Sequence, residues 1–465
     1  MDGWSPVPAC ACTLLIYAVG IDTTMAKKES AAKFEAPEKW KEISEEYWIS
    51  NRKNETDKVK DIVEGIIEQV KTQGDKALIE LTEKFDKVKL KHLQVTRDEI
   101  DAAYEKLDQE VIDELENAAY NISRFHRMQL PPDMWTTEVE PGITLGIKST
   151  PLNRVGCYIP GGLAAYPSSA LMTVVAAKTA GVDEVICCTP APVQPAVLAA
   201  LDIAGCDEIY TVGGSQAIAA MALGTESIEK VQMIVGPGNM FVTEAKILLQ
   251  KEVLIDFPAG PSEAAVLADS SAVPEYVAAD LIAQGEHGPS SAYVLVTDDP
   301  ELPDKVWKCM MDILKDEPRK DIITKSTANS GYIVCKNMDL AIETMNGVAP
   351  EHLCIEVRDP QDALSKIRNA GSIFVGPYTP IAAGDYASGT NHVLPTSGYA
   401  KVYSGLTANM FRKTSTVQML TKEGLESLAP TITTLARVEG LHAHGMSVDI
   451  RFGKEKKEKK KSGKK

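Results

Sequence analysis

Between Lys58 and Lys71 the apolar residues Val59, Ile62, Val63, Ile66, Ile67 and Val70 recur every three or four positions with charged residues between them. That is the period of a helix with one buried face. Spacing of this kind over Trp40 to Leu130 predicts a mainly helical opening segment. Beyond Pro141 the text changes to short β-branched runs alternating with Ala-rich helical stretches, and the alternation continues to about Gly376.

The alternation is regular enough to assign elements. VGCYIP, EVICCTP, EIYTVGG and QMIVGPG read as strands, each followed by a helix: Ser169–Ala180, Ala196–Ala204, one from Gln216 and one from Phe241. From Ala264 a second set follows, with strands in EAAVLAD, AYVLVTD, GYIVC and SIFVG and helices over Tyr276–Gln284, Pro303–Leu314 and Met338–Val348. Right-handed crossovers turn such units into parallel sheets covered by helices on both faces. The fold class expected is therefore α/β, two doubly wound, incomplete Rossmann-like halves with a cleft between them, plus a helical N-terminal segment and a small helical C-terminal extension. The boundaries expected are 1–33 for an extension, 34–157 for a helical part packing with 263–406, 158–262 for the first half and 263–406 for the second. Residues 407–453 are expected to form a C-terminal helical segment and 454–465 a disordered tail. The glycine-rich stretch from Ile381 to Ser404 is longer than a plain connection and reads as an active-site loop.

Composition narrows the function. The 465 residues are 44% hydrophobic and 25% charged with a net charge of -16, suited to a folded protein with a large core and unsuited to a general binder of nucleic acid or anionic membrane. The last twelve residues, KEKKEKKKSGKK, run against that sign with a net +6, and read as a solvated tail. Nine cysteines show no CxxC and no metal-finger spacing, and most sit in apolar runs, a pattern of a reducing compartment. No apolar run approaches the roughly 18 residues of a spanning helix. Ala9 to Ile21 imitates a secretory core, but Asp2 stands where a basic flank belongs, and a start at Met25 fits better. The expectation is a cytoplasmic protein, poorly ordered before about Lys33.

Five of the seven histidines, His287, His352, His392, His442 and His444, lie in polar or glycine-bearing words of the second half. Gln284 and His287 are three apart at the end of an apolar-faced helix, so both can address one metal or substrate, or His287 can simply cap the helix. Glu351 and His352 in GVAPEHL read as residues near a helix end, where a carboxylate and an imidazole could be tuned for proton transfer or merely be solvated. Asp385 and His392 in GDYASGTNH, and Glu439, His442 and His444 in EGLHAH, add further oxygen and nitrogen donors. Gln, two His and Asp make a workable zinc set, though no single HxxEH-type word supports it. GGLAAYPSS, VGGSQAIAA and VGPGN each close a strand and open a helix, where backbone N–H groups hold phosphates, yet none is GxGxxG and plain turns explain them as well.

Nine ordered words carry a resemblance that spans Trp40 to Arg451: YIPGGLAAYPSSALM, VGGSQAIAAMALGTE, IVGPGNMFVTEAK, IDFPAGPSEAAVLAD, DLIAQGEHGP, APEHL, AGSIFVGPYTP, GDYASGTNHVLPTSG and EGLHAH. In these the chain resembles the histidinol dehydrogenases. The resemblance implies oxidation of L-histidinol to L-histidine by two NAD-linked steps through a bound aldehyde, the last reaction of histidine biosynthesis, with one zinc ion per subunit. It carries the metal ligands onto Gln284, His287, Asp385 and His444, and the proton-transfer pair onto Glu351 and His352. Substrate contacts fall on Ser262 and Glu439 as well as on His352 and the ligand residues, and NAD contacts on Tyr158, Gln216 and Asn239. It further implies a homodimer with shared active sites, the C-terminal segment crossing to the partner so that Glu439 and His444 complete the other subunit's site. No catalytic thiol is called for; Cys157 and Cys354 have the neighbours of sheet core. The one departure noted in the family wording, Val174 to Lys178, touches packing and no named ligand.

Two other readings share parts of this pattern. The sulfopropanediol dehydrogenases have the same glycine words but are expected to differ at the substrate end, where APEHL and GDYASGTNHVLPT match the histidinol type. A zinc hydrolase or a nonenzymatic nucleotide-binding protein would give no substrate-dependent gain of NADH absorbance.

Overall fold

The computed structural model describes residues 37–52, 56–162 and 165–453. The expected N-terminal extension, the alternative start at Met25 and the basic tail lie outside the described residues.

Both doubly wound halves are present. In the first, five parallel strands lie in the order Glu208–Thr211, Glu184–Thr189, Arg154–Tyr158, Met233–Val235, Leu254–Ile255. Val155, Cys157, Val185, Ile186, Cys187 and Cys188 are all enclosed, because helices cover both faces of the sheet and leave no polar side to alternate with. Helices Pro167–Thr179 and Pro195–Ile203 pack on one face, Gly214–Leu223 and Met240–Leu248 on the other. The second half has six parallel strands in the order Lys41–Glu42, Gly331–Val334, Ala292–Thr297, Glu263–Ala268, His352–Glu356, Ser372–Val375. Helices Pro274–Gly285 and Leu302–Leu314 cover one of its faces and Met338–Val348 the other.

Three features differ from the sequence reading. Glu351 and His352 are not at a helix end: His352 opens a central strand, His352–Glu356, hydrogen-bonded on both sides. This strand is buried along its whole length, so HLCIE carries no alternation to betray it. Residues Arg412–Leu420, expected to be helical, form a strand that pairs antiparallel with Ile143–Pro151, which in turn pairs with Met134–Glu140 in a small third sheet. Its Thr414, Thr416 and Val417 supply the β-branched content that favours strand over helix. Helices Lys422–Val438 and His442–Arg451 follow as expected and pack on each other.

The N-terminal part does not pack wholly with the second half. Lys41–Glu42 and Trp48 do join it, Trp40 stacking with Trp307 at 5.9 Å between ring centroids. Helices Lys60–Gln73, Asp75–Phe85, Arg97–Tyr104 and Gln109–Met128 instead lay Val63, Ile66, Leu78, Leu81, Ala103 and Ile122 on the first half. The chain thus bridges both halves before entering either sheet.

Candidate active site

A cleft of about 2040 Å³ runs between the halves. That exceeds the roughly 300–1,000 Å³ of a pocket for one small ligand, so it has room for a cofactor beside a substrate. One wall is the loop Gly236–Asn239, which leaves the C-terminal end of a first-half strand. The opposite wall comes from the N-terminal ends of second-half strands.

Two of those strand starts bear candidate site residues. Ser262 precedes Glu263–Ala268 and Glu351 precedes His352–Glu356, and parallel pairing of His352 with Ala264 sets the two starts side by side. Ser262 Oγ donates to Glu351 Oε2 at 2.7 Å, and the Glu263 N–H donates to the same oxygen at 2.8 Å. Gln284, on the last turn of helix Pro274–Gly285, donates through Nε2 to Ser262 Oγ at 2.8 Å. Its amide is thereby oriented, and its Oε1 is left fully buried without a hydrogen-bond partner among the described residues.

Asp385 enters from a single π-helical turn, Ala383–Ala387, at the start of the glycine-rich loop. Its Oδ1 lies 3.3 Å from His352 Nε2 and its Oδ2 lies 3.9 Å from His287 Nε2. The Asp385 carbonyl also holds His392 through Nδ1 at 2.9 Å, while His392 Nε2 meets Ser169 Oγ at 3.2 Å. His352 is fixed on its other side, Nδ1 lying 3.3 Å from the Glu263 carbonyl and 3.6 Å from Glu351 Oε2. Its Nε2 is buried and makes no aligned hydrogen bond among the described residues.

Burial governs the protonation of this group. It pushes the Glu351 carboxyl up to about 7, against the pull of His352, Ser262 and the Glu263 N–H. Burial alone would depress His352, but the Glu351 and Asp385 carboxylates outweigh it and raise the imidazole to about 9. His287 and His392 are depressed by burial and so stay neutral, the form in which imidazole binds a metal. Asp385, despite its burial, is held below the usual carboxylate range chiefly by His352.

The donors fit a metal ion. His287 and Asp385 border the cleft with a neutral imidazole and an ionised carboxylate, and Gln284, bonded to the cleft residue Ser262, adds an orphaned buried amide oxygen, a hard and borderline-soft set of low total charge. Among the described residues no three of His, Cys, Asp and Glu are placed to hold a metal by themselves.

The remaining sequence-derived residues are scattered. Asn239 borders the cleft and caps helix Met240–Leu248, its Oδ1 accepting from the Phe241 and Val242 N–H groups. Tyr158 and Gln216 are buried behind that wall, with the Tyr158 hydroxyl accepting from the Gly214 N–H at 3.0 Å. Glu439 and His444 are exposed on the C-terminal helix pair and do not border the cleft. His392, read in the sequence as a possible nitrogen ligand, instead meets the Asp385 carbonyl and Ser169. Arg52 carried no signal in the sequence. Arg52 Nε bonds Glu263 Oε2 at 3.0 Å, and its two terminal nitrogens bond the carbonyls of Ser290, Pro261 and Ser262.

The histidinol dehydrogenase family model matches residues 49–452, which contain every residue of this site. The chain belongs to the histidinol dehydrogenase family. It is 50% identical over 404 residues to the histidinol dehydrogenase of Methanothermobacter thermautotrophicus, covering 86% of this chain and 95% of that one. It is 47% identical over 395 residues to that of Vibrio parahaemolyticus, covering 84% and 91%. The crystal structure of histidinol dehydrogenase from Elizabethkingia anophelis superposes with a TM-score of 0.85 at 38% identity, over 90% of this chain and 99% of that chain. A histidinol dehydrogenase family member is an oxidoreductase. Among the described residues no helix is long and apolar enough to cross a membrane.

Proposed function

We propose that the chain oxidises L-histidinol to L-histidine through bound L-histidinal with two NAD+, in the cytoplasm, as a homodimer with shared sites. The observation that carries this is the hydrogen-bonded series Gln284–Ser262–Glu351 set against His352 and Asp385. It supports reading His352 as a base, Glu351 as a second carboxylate and the remaining donors as an anchoring set beside a cleft with room for a dinucleotide.

Gln284, His287 and Asp385 would hold zinc together with His444 of the partner subunit. Zinc held there would supply a Lewis-acid anchor for the substrate's imidazole and amine, and an Asp385 committed to it would no longer hold His352 protonated. Gly236–Asn239 would border bound NAD, which would supply the hydride acceptor for each oxidation. His352 then takes the hydroxyl proton as hydride leaves the carbinol carbon, giving the aldehyde. Glu351, kept in place by Ser262 and the Glu263 N–H, takes a proton from the water that adds to that aldehyde; loss of a second hydride yields the carboxylate.

A partner is also supported by the apolar residues left exposed on the C-terminal helices, Leu435, Val438, Leu441, Met446 and Ile450. The same helices carry Glu439 and His444, so burying that face would bring both to another subunit.

The test is stoichiometric. Chelated protein and the same protein restored with zinc are given histidinol, and NADH and histidine are both counted. Activity should vanish on chelation and return without refolding, with two NADH per histidine. One NADH per histidinol consumed, with aldehyde accumulating, would sink the four-electron reading.

A further inference from the structure

Besides Arg52 and Glu263, a buried ion pair lies outside the proposed metal and proton-transfer groups. Lys246, on helix Met240–Leu248, meets the Asp256 carboxylate, and their side chains are only 4% and 1% exposed. Each partner also bonds the same glycine. The Gly236 N–H donates to Asp256 Oδ2 at 2.9 Å, and Lys246 Nζ donates to the Gly236 carbonyl at 3.0 Å. The two bonds grip the peptides before and after the Gly236 Cα.

That residue needs the grip. Its φ is +118°, a conformation that L side chains rarely adopt, and a Cβ there would come within 2.1 Å of the Tyr158 carbonyl. The next residue, Pro237, has no N–H to add a bond of its own. Asp256 Oδ1 accepts from the Phe257 N–H at 2.7 Å, which ties the start of the segment leading to Ser262 to the same pair. A desolvated ion pair adds little stability over an apolar pair of similar volume, so packing alone gives weak reason for it here.

We infer that Lys246 and Asp256 are positioning residues for the dinucleotide: they hold Gly236–Asn239 in the shape that lets its backbone approach the cofactor. This rests on the reading that NAD lies against that loop, at the C-terminal end of a parallel strand where α/β sheets take their ligands. The pair touches neither the proposed metal donors nor the Glu351–His352 pair, so its loss is expected to show first in cofactor binding.

The experiment compares the zinc-loaded wild-type enzyme with Asp256→Asn, Lys246→Met and Lys246→Arg. Titration calorimetry gives the NAD+ and histidinol dissociation constants, alongside zinc content and thermal midpoint. Asp256→Asn keeps the side-chain shape but turns an NH2 toward one of the two amides, and Lys246→Met removes the donor to the Gly236 carbonyl. Both should weaken NAD+ by on the order of tenfold while histidinol affinity and zinc content stay within about twofold, and Lys246→Arg should recover most of the loss. Unchanged NAD+ affinity in a folded Asp256→Asn protein overturns the inference. So does a general loss in which stability and both affinities fall together, since that is what a merely structural pair would give. Asn239→Asp separates the underlying reading: it keeps the helix cap but adds a negative charge to the loop. If that variant binds NAD+ normally, the cofactor is not at this loop; if it binds poorly and Asp256→Asn does not, the positioning role alone is wrong.

Discussion

Arg52 and Glu263 form a buried ion pair, Nε to Oε2 at 3.0 Å, that joins the end of an N-terminal helix to the strand start beside Glu351. Glu263 uses its N–H to hold Glu351 and its other carboxylate oxygen to accept from the Ser397 N–H, so one residue links three segments of the site. Arg52→Met leaves a buried carboxylate without its cation, a lesion of about 3–5 kcal/mol. The expected result is a lower unfolding midpoint and slowed turnover with normal zinc content after refolding at low temperature. Arg52→Lys, which cannot reproduce the fork to the Pro261, Ser262 and Ser290 carbonyls, should recover stability only in part. Equal stability of Arg52→Met and wild type in chemical denaturation would contradict this account.

The separate surroundings of Glu351 and His352 predict separate lesions. Glu351 takes its hydrogen bonds from Ser262 and Glu263, whereas His352 faces Asp385. His352→Asn should slow oxidation of histidinol to the aldehyde, and Glu351→Gln should chiefly slow oxidation of supplied histidinal. Each loss is expected at about 10²–10⁴-fold for its own half-reaction. If both variants lose the two half-reactions in equal proportion, the division of roles is wrong.

Much of this site was readable in the chain because its residues travel in short words: Gln284 with His287, Glu351 with His352, Asp385 with His392. The βα units were readable for a related reason, since each strand ends in a turn word and each helix begins with a periodic one. What escaped depends on distant partners. Arg52 acts on residues 209 to 238 positions away, and nothing local distinguishes it from a solvated helix-end arginine. The strand His352–Glu356 escaped because a strand covered on both faces has no period. Arg412–Leu420 escaped because its pairing partner, Ile143–Pro151, lies more than half the chain away.

A pH-dependent stability is expected from Glu356, four positions beyond His352 on the same strand and away from the proposed metal donors. Burial, and then the neighbouring Asp280 carboxylate, raise its carboxyl to about 7. A carboxyl raised in the folded state binds its proton more tightly there than in the unfolded chain. Its protonated form therefore favours folding at low pH, and that contribution is lost as pH climbs from the unfolded value of about 4.3 through 7. Glu356→Gln should raise the unfolding midpoint at about pH 8 and leave it nearly unchanged at about pH 5. A gain of the same size at both pH values would show that packing, not charge, is what the substitution changes.

The most demanding expectation concerns the tail. Glu439 and His444 are exposed on the C-terminal helices and do not border the cleft that His287 and Asp385 line, so within one chain the proposed fourth ligand is not at the site. If a second copy supplies it, a site is built from the body of one subunit and the tail of the other. His352→Asn protein carries its lesion in the body, and His444→Ala protein carries its lesion in the tail; each should be inactive alone. Unfolded together and refolded, half of the dimers are mixed under random pairing. With crossed tails each mixed dimer has one site bearing both lesions and one bearing neither, so activity should return to about one quarter of wild type. With tails folded onto their own bodies every site in every dimer carries a lesion, and no activity returns. Mixed dimers shown to form by mass spectrometry of differently tagged chains, yet without activity, would therefore rule out the shared site.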